Sequence, residues 1–314
     1  MSKISVIGAG NVGATCVNSI ATMEFAKEIV LLDIKEGLAE GKVMDIMQTA
    51  HLYDNFPKIS GVTQDYEATK DSDIVVVTSG IPRKPGMTRE ELIGTNAKIV
   101  SSVVESALQY SPKAYLIIVS NPMDTMAYLT VKKFGLPKNR VIGMGGILDS
   151  SRFTYYLSEA LQADPKEVKG WVIGGHGDTT MIPLSRLASY KGEMVEKLLD
   201  KEQIERVVSN TMVGGATLTK LLGTSAWYAP GASVAALAKA IVNDENRIYT
   251  CSVLLEGEYG RSNLNIGVPV VINKNGWERV IDFNLNEKEQ ELFDKSAEAV
   301  KTTNKVLWES AILK

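Results

Sequence analysis

Short apolar runs alternate with longer amphipathic stretches from the start of the chain. Ile4-Ser5-Val6-Ile7 reads as a strand, Ala14 to Met23 as a helix, and Ile29-Val30-Leu31-Leu32 as a second strand stopping at Asp33. A helix over about Glu36 to Ala50, a strand near Ile59 to Val62 and an apolar strand over Asp73 to Thr78 continue the alternation. The pattern then predicts a helix from about Arg89 to Tyr110, a strand over Tyr115 to Val119, a helix over Asp124 to Phe134 and a short strand at Arg140 to Ile142. Strands and helices in strict turn predict a parallel, doubly wound sheet. Gly143, Gly145 and Gly146 mark the expected boundary, giving domains over 1–143 and 144–314. The second half changes character. Strand-like runs fall at Val168 to Ile173 and Thr180 to Leu184, and helices at Lys201 to Leu222 and Ala232 to Asn243. Arg247 to Glu256 and Asn265 to Ile272 alternate around Gly257-Glu258-Tyr259-Gly260 as antiparallel strands do, and Asn286 to Ser310 closes the chain as an amphipathic helix. An α+β second domain is expected.

Against that frame the first turn stands out. Gly8-Ala9-Gly10-Asn11-Val12-Gly13 joins strand to helix, and Asp33 ends the next strand twenty residues beyond Gly13. In that context the glycines Gly8, Gly10 and Gly13, with Asn11 and Val12, predict a dinucleotide turn: tight backbone, close approach of a pyrophosphate, and a helix N-terminus to attract it. Asp33 would accept hydrogen bonds from the ribose hydroxyls and repel a 2′-phosphate, which favours NAD over NADP. The expected first domain is thus a Rossmann doubly wound parallel sheet.

The chain has two histidines. His176 lies in Gly174-Gly175-His176-Gly177-Asp178, where flanking glycines let backbone and ligand crowd an imidazole able to exchange a proton near neutrality. Asp178 is too near in sequence to be assumed its partner. Leu148-Asp149-Ser150-Ser151-Arg152 places an acid and a guanidinium three apart on one helix face, which offers an orienting carboxylate and an anion clamp. His51 has no such neighbours and is expected to be structural or at the surface. The Pro- and Gly-rich stretch from Ser79 to Leu92 carries Arg83, Lys84 and Arg89 at the carboxyl end of a strand, as a lid over an anion would. Asn121, before Pro122, ends another strand with an amide that donates and accepts.

Composition narrows the field. Net charge of −3 leaves no footprint for nucleic acid or an anionic membrane, and no apolar run is long enough to span one. Cys16 and Cys251 are far apart, so no metal or disulfide framework is expected. Without a basic, apolar leader at its start, a cytoplasmic location is expected.

Taken together these blocks resemble the lactate/malate dehydrogenase superfamily, and within it the malate dehydrogenases of lactate-dehydrogenase-like type, over essentially the whole chain. The resemblance implies reversible NAD-dependent oxidation of malate to oxaloacetate. It implies His176 as proton donor and acceptor, Asp149 as its orienting carboxylate, Arg152 on the substrate C1 carboxylate, Arg89 polarising the carbonyl from the lid, and Asn121 on substrate or nicotinamide. Superfamily lactate enzymes typically place glutamine at position 83 and glutamate before the histidine. Arg83 and Gly175 therefore imply a four-carbon dicarboxylate, and stranding a desolvated Arg83 beside pyruvate would cost about 3–5 kcal/mol. A lactate or other 2-hydroxy-acid dehydrogenase is the alternative. An NAD-dependent glycosidase would need a cysteine near Asn121, and a bare NAD sensor would not need the acid, base and clamp. Thr224 to Gly231 is expected to form a wall of the substrate cavity. A homo-oligomer is implied, tetramer ahead of dimer, with apolar helices such as Ala232 to Val242 as candidate interfaces.

Overall fold

In the first half β1 (Lys3–Ile7) leads through α1 (Asn11–Thr22) to β2 (Glu28–Asp33), α2 (Leu38–Met47), β3 (Lys58–Thr63), β4 (Ile74–Val77), α3 (Arg89–Tyr110), β5 (Tyr115–Ile118), α4 (Met123–Phe134) and β6 (Val141–Gly143). This computed structural model describes residues 2–82 and 86–313, so Arg83 lies outside the described residues, with Lys84 and Pro85. The six strands pair in parallel in the order β3-β2-β1-β4-β5-β6, the order of a dinucleotide-binding sheet. All four residues of β4 are buried, because helices cover both faces and the strand must be apolar throughout.

The second half runs α5 (Gly145–Leu161), β7 (Val168–Lys169), β8 (Val172–Gly174), β9 (Met181–Pro183), β10 (Ser189–Tyr190), β11 (Glu193–Met194), α6 (Lys201–Leu222), α7 (Tyr228–Val242), β12 (Arg247–Glu256), β13 (Ser262–Asn273), β14 (Gly276–Val280) and α8 (Glu287–Glu309). β12 lies antiparallel to β6, with Ser252 opposite Gly143, and β13, β8 and β9 follow outward. One eleven-stranded sheet therefore runs through both halves, with β14 on β13, while β7, β10 and β11 form a separate small sheet. Capping boxes start α3 (Thr88 with Glu91), α6 (Asp200 with Gln203) and α8 (Asn286 with Glu289).

The differences from the sequence reading have local causes. α2 starts only at Leu38, after Gly37 in a left-handed conformation, and stops at Met47 before a 3-10 turn holding the exposed His51. The run Val168 to Ile173 splits into β7 and β8 because its two ends pair with different partners, β7 with β10 in the small sheet and β8 with β9 in the large one. α7 begins four residues early, at Tyr228, with Pro230 in its first turn. The apolar positions of α7 are also not an available interface. Val234, Ala235, Leu237, Ala238, Ala240 and Ile241 are buried within the chain, and Gly231 lets α7 lie against Thr15 of α1. Exposed apolar side chains gather instead around α2, at Ile34, Met44, Met47 and Leu52.

Candidate active site

The carboxyl ends of β1, β4 and β5 open on a cleft of about 530 Å³, closed on the other side by α5, α6 and the loop after β8. One wall is the glycine turn. Gly8 has φ +111, and its Cβ would approach Thr78 Oγ1 to 2.6 Å. A Cβ on Gly13 would run into the Gly8 carbonyl oxygen, so α1 packs tightly on β1 only with glycine there. Gly10 differs: its φ of −65° suits any residue, and a Cβ would meet no protein atom within 4 Å. Gly10, Asn11, Val12 and Gly13 line the cleft at the amino end of α1. The free space over Gly10 and the unpaired N–H groups of that first turn fit a dinucleotide pyrophosphate. Asp33 ends β2 beside the turn. Its Oδ2 accepts the Ala9 N–H at 2.6 Å and its Oδ1 the Lys35 N–H at 2.9 Å, which leaves further lone pairs for hydroxyl donors.

The opposite wall holds His176 and Arg152. His176 Nδ1 lies 2.7 Å from Asp149 Oδ2, and a carboxylate can only accept, so Nδ1 carries the proton and Nε2 is left for the cleft. Burial alone would lower the imidazole pKa, and the Arg152 charge acts in the same direction, but the charge and hydrogen bond of Asp149, together with the charge of Asp124, outweigh both and hold it raised. Arg152 donates to the other oxygen, Asp149 Oδ1, at 3.2 Å. Its Nε is buried and, among the described residues, has no partner. Gly214 and Gly215 of α6 lie beside the Arg152 side chain, Gly214 along its stem and Gly215 next to the guanidinium.

The histidine loop is tightly built. Ser296 of α8 accepts the Gly175 N–H at 2.9 Å and donates to Thr180 O at 2.7 Å. A Cβ on Gly175 would lie 2.7 Å from Val300 Cγ2, so this loop has no room for a side chain before His176. Gly145, at the start of α5, lies close against the histidine: a Cβ there would stand 2.6 Å from His176 Cγ.

Asn121 lines the cleft at the end of β5, followed by a cis bond to Pro122. Thr224, Ser225, Ala226 and Pro230 from the expected wall segment also line it. Arg89 does not. It opens α3, and its guanidinium donates to Thr303 Oγ1 of α8 at 2.9 Å.

Two buried side chains went unread in the sequence. Asn96 of α3 binds both main-chain groups of Ile81, accepting its N–H at 2.9 Å and donating to its oxygen at 3.1 Å, and donates to Asn121 O at 2.7 Å. Asp124 of α4 accepts the His176 main-chain N–H at 2.7 Å. The only trace of Asp124 was an acid in an otherwise apolar helix start.

Known proteins show the same arrangement of the whole chain. Residues 2–143 match the family described as lactate/malate dehydrogenase, NAD binding domain, and residues 147–309 match lactate/malate dehydrogenase, alpha/beta C-terminal domain. The malate dehydrogenase of Parabacteroides distasonis is 62% identical over 313 residues, covering 100% of both chains. The malate dehydrogenase structure from Salinibacter ruber superposes with a TM-score of 0.93 at 39% identity over 98% of each chain. The lactate dehydrogenase of Cryptosporidium parvum, solved with lactic acid and NAD, gives 0.92 at 35% identity, again over 98% of each chain. The chain belongs to the lactate/malate dehydrogenase family.

Proposed function

We propose that this protein is an NAD-dependent malate dehydrogenase that interconverts (S)-malate and oxaloacetate. One observation supports the chemistry above the others: Asp149 holds both His176 and Arg152, so a single carboxylate places a proton carrier and an anion clamp in the same cleft, facing the glycine turn. Bound NADH supplies the hydride for the ketone carbon. Arg152 holds the substrate C1 carboxylate through its fork of donors, and imidazolium His176 gives its Nε2 proton to the oxygen that becomes hydroxyl. In the other direction neutral His176 takes that proton back, and Asp149 stabilises the charge the ring acquires. Asn121 orients the carbonyl or the nicotinamide amide from the end of β5. Arg89 must leave Thr303 and enter the cleft as the lid closes, where it stabilises charge on the reacting oxygen.

Arg83 selects the substrate by pairing with its second carboxylate. The fold does not discriminate, because a lactate dehydrogenase superposes nearly as well as a malate dehydrogenase. The identity of residue 83, the glycine at 175 and the full-length likeness to malate dehydrogenases favour the dicarboxylate. The domains divide at 143/144, the protein works in the cytoplasm, within the tricarboxylic acid cycle, and it assembles as a homo-oligomer, tetramer ahead of dimer, through surfaces such as the apolar side chains around α2.

The test follows NADH loss with oxaloacetate and then pyruvate under identical conditions. Oxaloacetate should be preferred, and Arg83→Gln should lower its kcat/KM by about 10² or more through loss of a charge-assisted pair. Equal turnover of oxaloacetate by variant and parent would remove Arg83 from the reading.

A further inference from the structure

The chain contains one Asn-Gly pair, Asn275-Gly276, at the tip of the β13–β14 hairpin and away from the cleft. In such a pair the side-chain carbonyl of the first residue lies within reach of the next main-chain nitrogen, and glycine brings no side chain to hinder the approach. The fold demands this glycine. Gly276 has φ +82, and a Cβ there would lie 2.1 Å from the Asn139 oxygen and 2.8 Å from the Tyr115 ring, so no bulkier residue can shield that nitrogen. Asn275 is exposed, and only its main chain is held: its N–H donates to Asn273 Oδ1 at 2.9 Å, and its oxygen accepts from Asn139 Nδ2 at 2.8 Å. Among the described residues its side-chain amide makes no hydrogen bond. Asn273, two residues earlier, is the contrast: it is buried, and its amide donates to Asn246 Oδ1 at 3.0 Å and to Glu278.

We propose that Asn275 is a site of spontaneous deamidation, and that its isoaspartate product loosens the β13–β14 hairpin from the turn leading into β6. The Gly276 nitrogen, having given its proton to hydroxide, attacks Asn275 Cγ. The new N–Cγ bond closes a succinimide as the Cγ–Nδ2 bond breaks, and the departing nitrogen takes protons from water and leaves as ammonia. Water then opens the ring. Breaking the N–Cγ bond gives aspartate in a normal main chain; breaking the original peptide bond gives isoaspartate, with the chain routed through the side-chain carbons and the α-carboxylate set free. One water is consumed and one ammonia released, with no change of oxidation state. Gly276 pairs with Asn273 across the hairpin, so ring closure waits for this last pair to fray, which costs little at an exposed tip.

The two products differ in what they do to the fold. Isoaspartate lengthens the main chain at the point where the Asn139 amide grips it, just before Trp277, which is 2% exposed and donates through Nε1 to Lys138 O at 2.6 Å. Both bonds fasten the hairpin to the 3-10 turn Lys138–Arg140, which runs directly into β6. Aspartate adds the same charge at an exposed tip and leaves the main chain as it was.

The experiment incubates the whole protein in mildly alkaline buffer, native and, in parallel, unfolded in guanidinium chloride. Mass spectrometry follows the peptide spanning Asn275, and chromatography separates its aspartate and isoaspartate forms. Native protein should lose the Asn275 amide ahead of every other asparagine, at a rate within about tenfold of the unfolded chain's. Asn275→Gln, whose longer side chain closes a ring far more slowly, should leave that peptide unchanged over the same interval. The isoaspartate-rich fraction should melt about 2–4 °C below fresh parent, as loss of one or two anchoring hydrogen bonds requires. Asn275→Asp, which carries the charge alone, should stay within about 1 °C of the parent. An amide retained in the native protein while the unfolded chain loses it overturns the site. An isoaspartate-rich fraction with the parent's Tm, or an Asn275→Asp variant that falls as far, overturns the loosening of the hairpin.

Discussion

His176 is 18% exposed at its side chain and Asp149 only 2%, so breaking their pair by removing the acid leaves a buried imidazole without its counter-charge. The sign of the pH dependence follows. Burial lowers the imidazole pKa, the carboxylates of Asp149 and, less strongly, Asp124 more than compensate, and the ring stays protonated above its ordinary value of about 6.5. Oxaloacetate reduction, which needs the charged ring, should hold its rate through pH 6.5 and fall only as pH rises through the raised pKa; malate oxidation should climb over the same interval. The pair's contribution to stability runs in parallel, being complete below the unfolded-state pKa and lost as pH passes the folded one. Profiles of kcat/KM in both directions test this, and a limb centred below 6.5 contradicts it. Arg152 allows a second prediction. Its Nε has no partner among the described residues and its Nη1 is shared with Asp149, so the site is built for a planar fork. Arg152→Lys keeps the charge but loses the fork, and kcat/KM for oxaloacetate should drop by about 10² or more; a value within threefold of the parent would exclude the clamp. The Asp149–His176 contact was legible because spacing put acid and guanidinium on one helix face and left the histidine as their natural third member. Asn96 and Asp124 were not. Their partners are main-chain atoms 15 to 52 residues away, and a main-chain acceptor or donor carries no side-chain signature.

The glycine turn shows what element-level reading can do, because its three glycines have three separate physical reasons. Gly13 excludes a Cβ by backbone contact within the protein, whereas Gly10 excludes nothing of the protein's own. Substitutions at the two positions should therefore separate folding from binding. Gly13→Ala should lower Tm measurably by forcing α1 away from β1. Gly10→Val should leave Tm near the parent's yet raise Kd for NADH at least about tenfold, since the methyls fill the space a pyrophosphate needs. Calorimetry with NADH titration checks both, and unchanged NADH affinity in Gly10→Val would move the cofactor off this turn. Other elements were read unevenly. The bounds of α3, α6 and β12 match the sequence reading to the residue, because capping boxes mark the two helix starts and the charged Arg247 and Glu256 bracket the strand. β14 escaped it: Gly276-Trp277-Glu278-Arg279-Val280 has little β-branched character and is strand only because β13 offers it an edge.

Across the whole molecule, the division seen in the sequence at residue 143 is not a division of the core. β6 passes the sheet to β12, and one buried apolar cluster takes Ile4, Val6 and Ile29 from the first half together with Ile173, Val234, Val253 and Phe293 from the second. Gly231 presses α7 onto Thr15 of α1, so even the helix layer crosses the boundary. Severing the halves would bare the β6 edge and the face of α1 to water, at about 25 cal/mol for each Å² of apolar surface exposed. The cleft lies along this shared seam, with the glycine turn on one side and Arg152 and His176 on the other. Both walls of the cleft therefore belong to one continuous core, and the Arg89 side chain is held to α8 at Thr303. Thermal unfolding should accordingly give one calorimetric transition whose calorimetric and van't Hoff enthalpies agree per folding unit. NADH at a hundred times its Kd should move that whole transition upward, as a stabilisation of about 2.7 kcal/mol requires, without splitting it. Two resolved transitions, with only the earlier or the later shifted by NADH, would mean that the halves fold independently and that the seam is a docked interface.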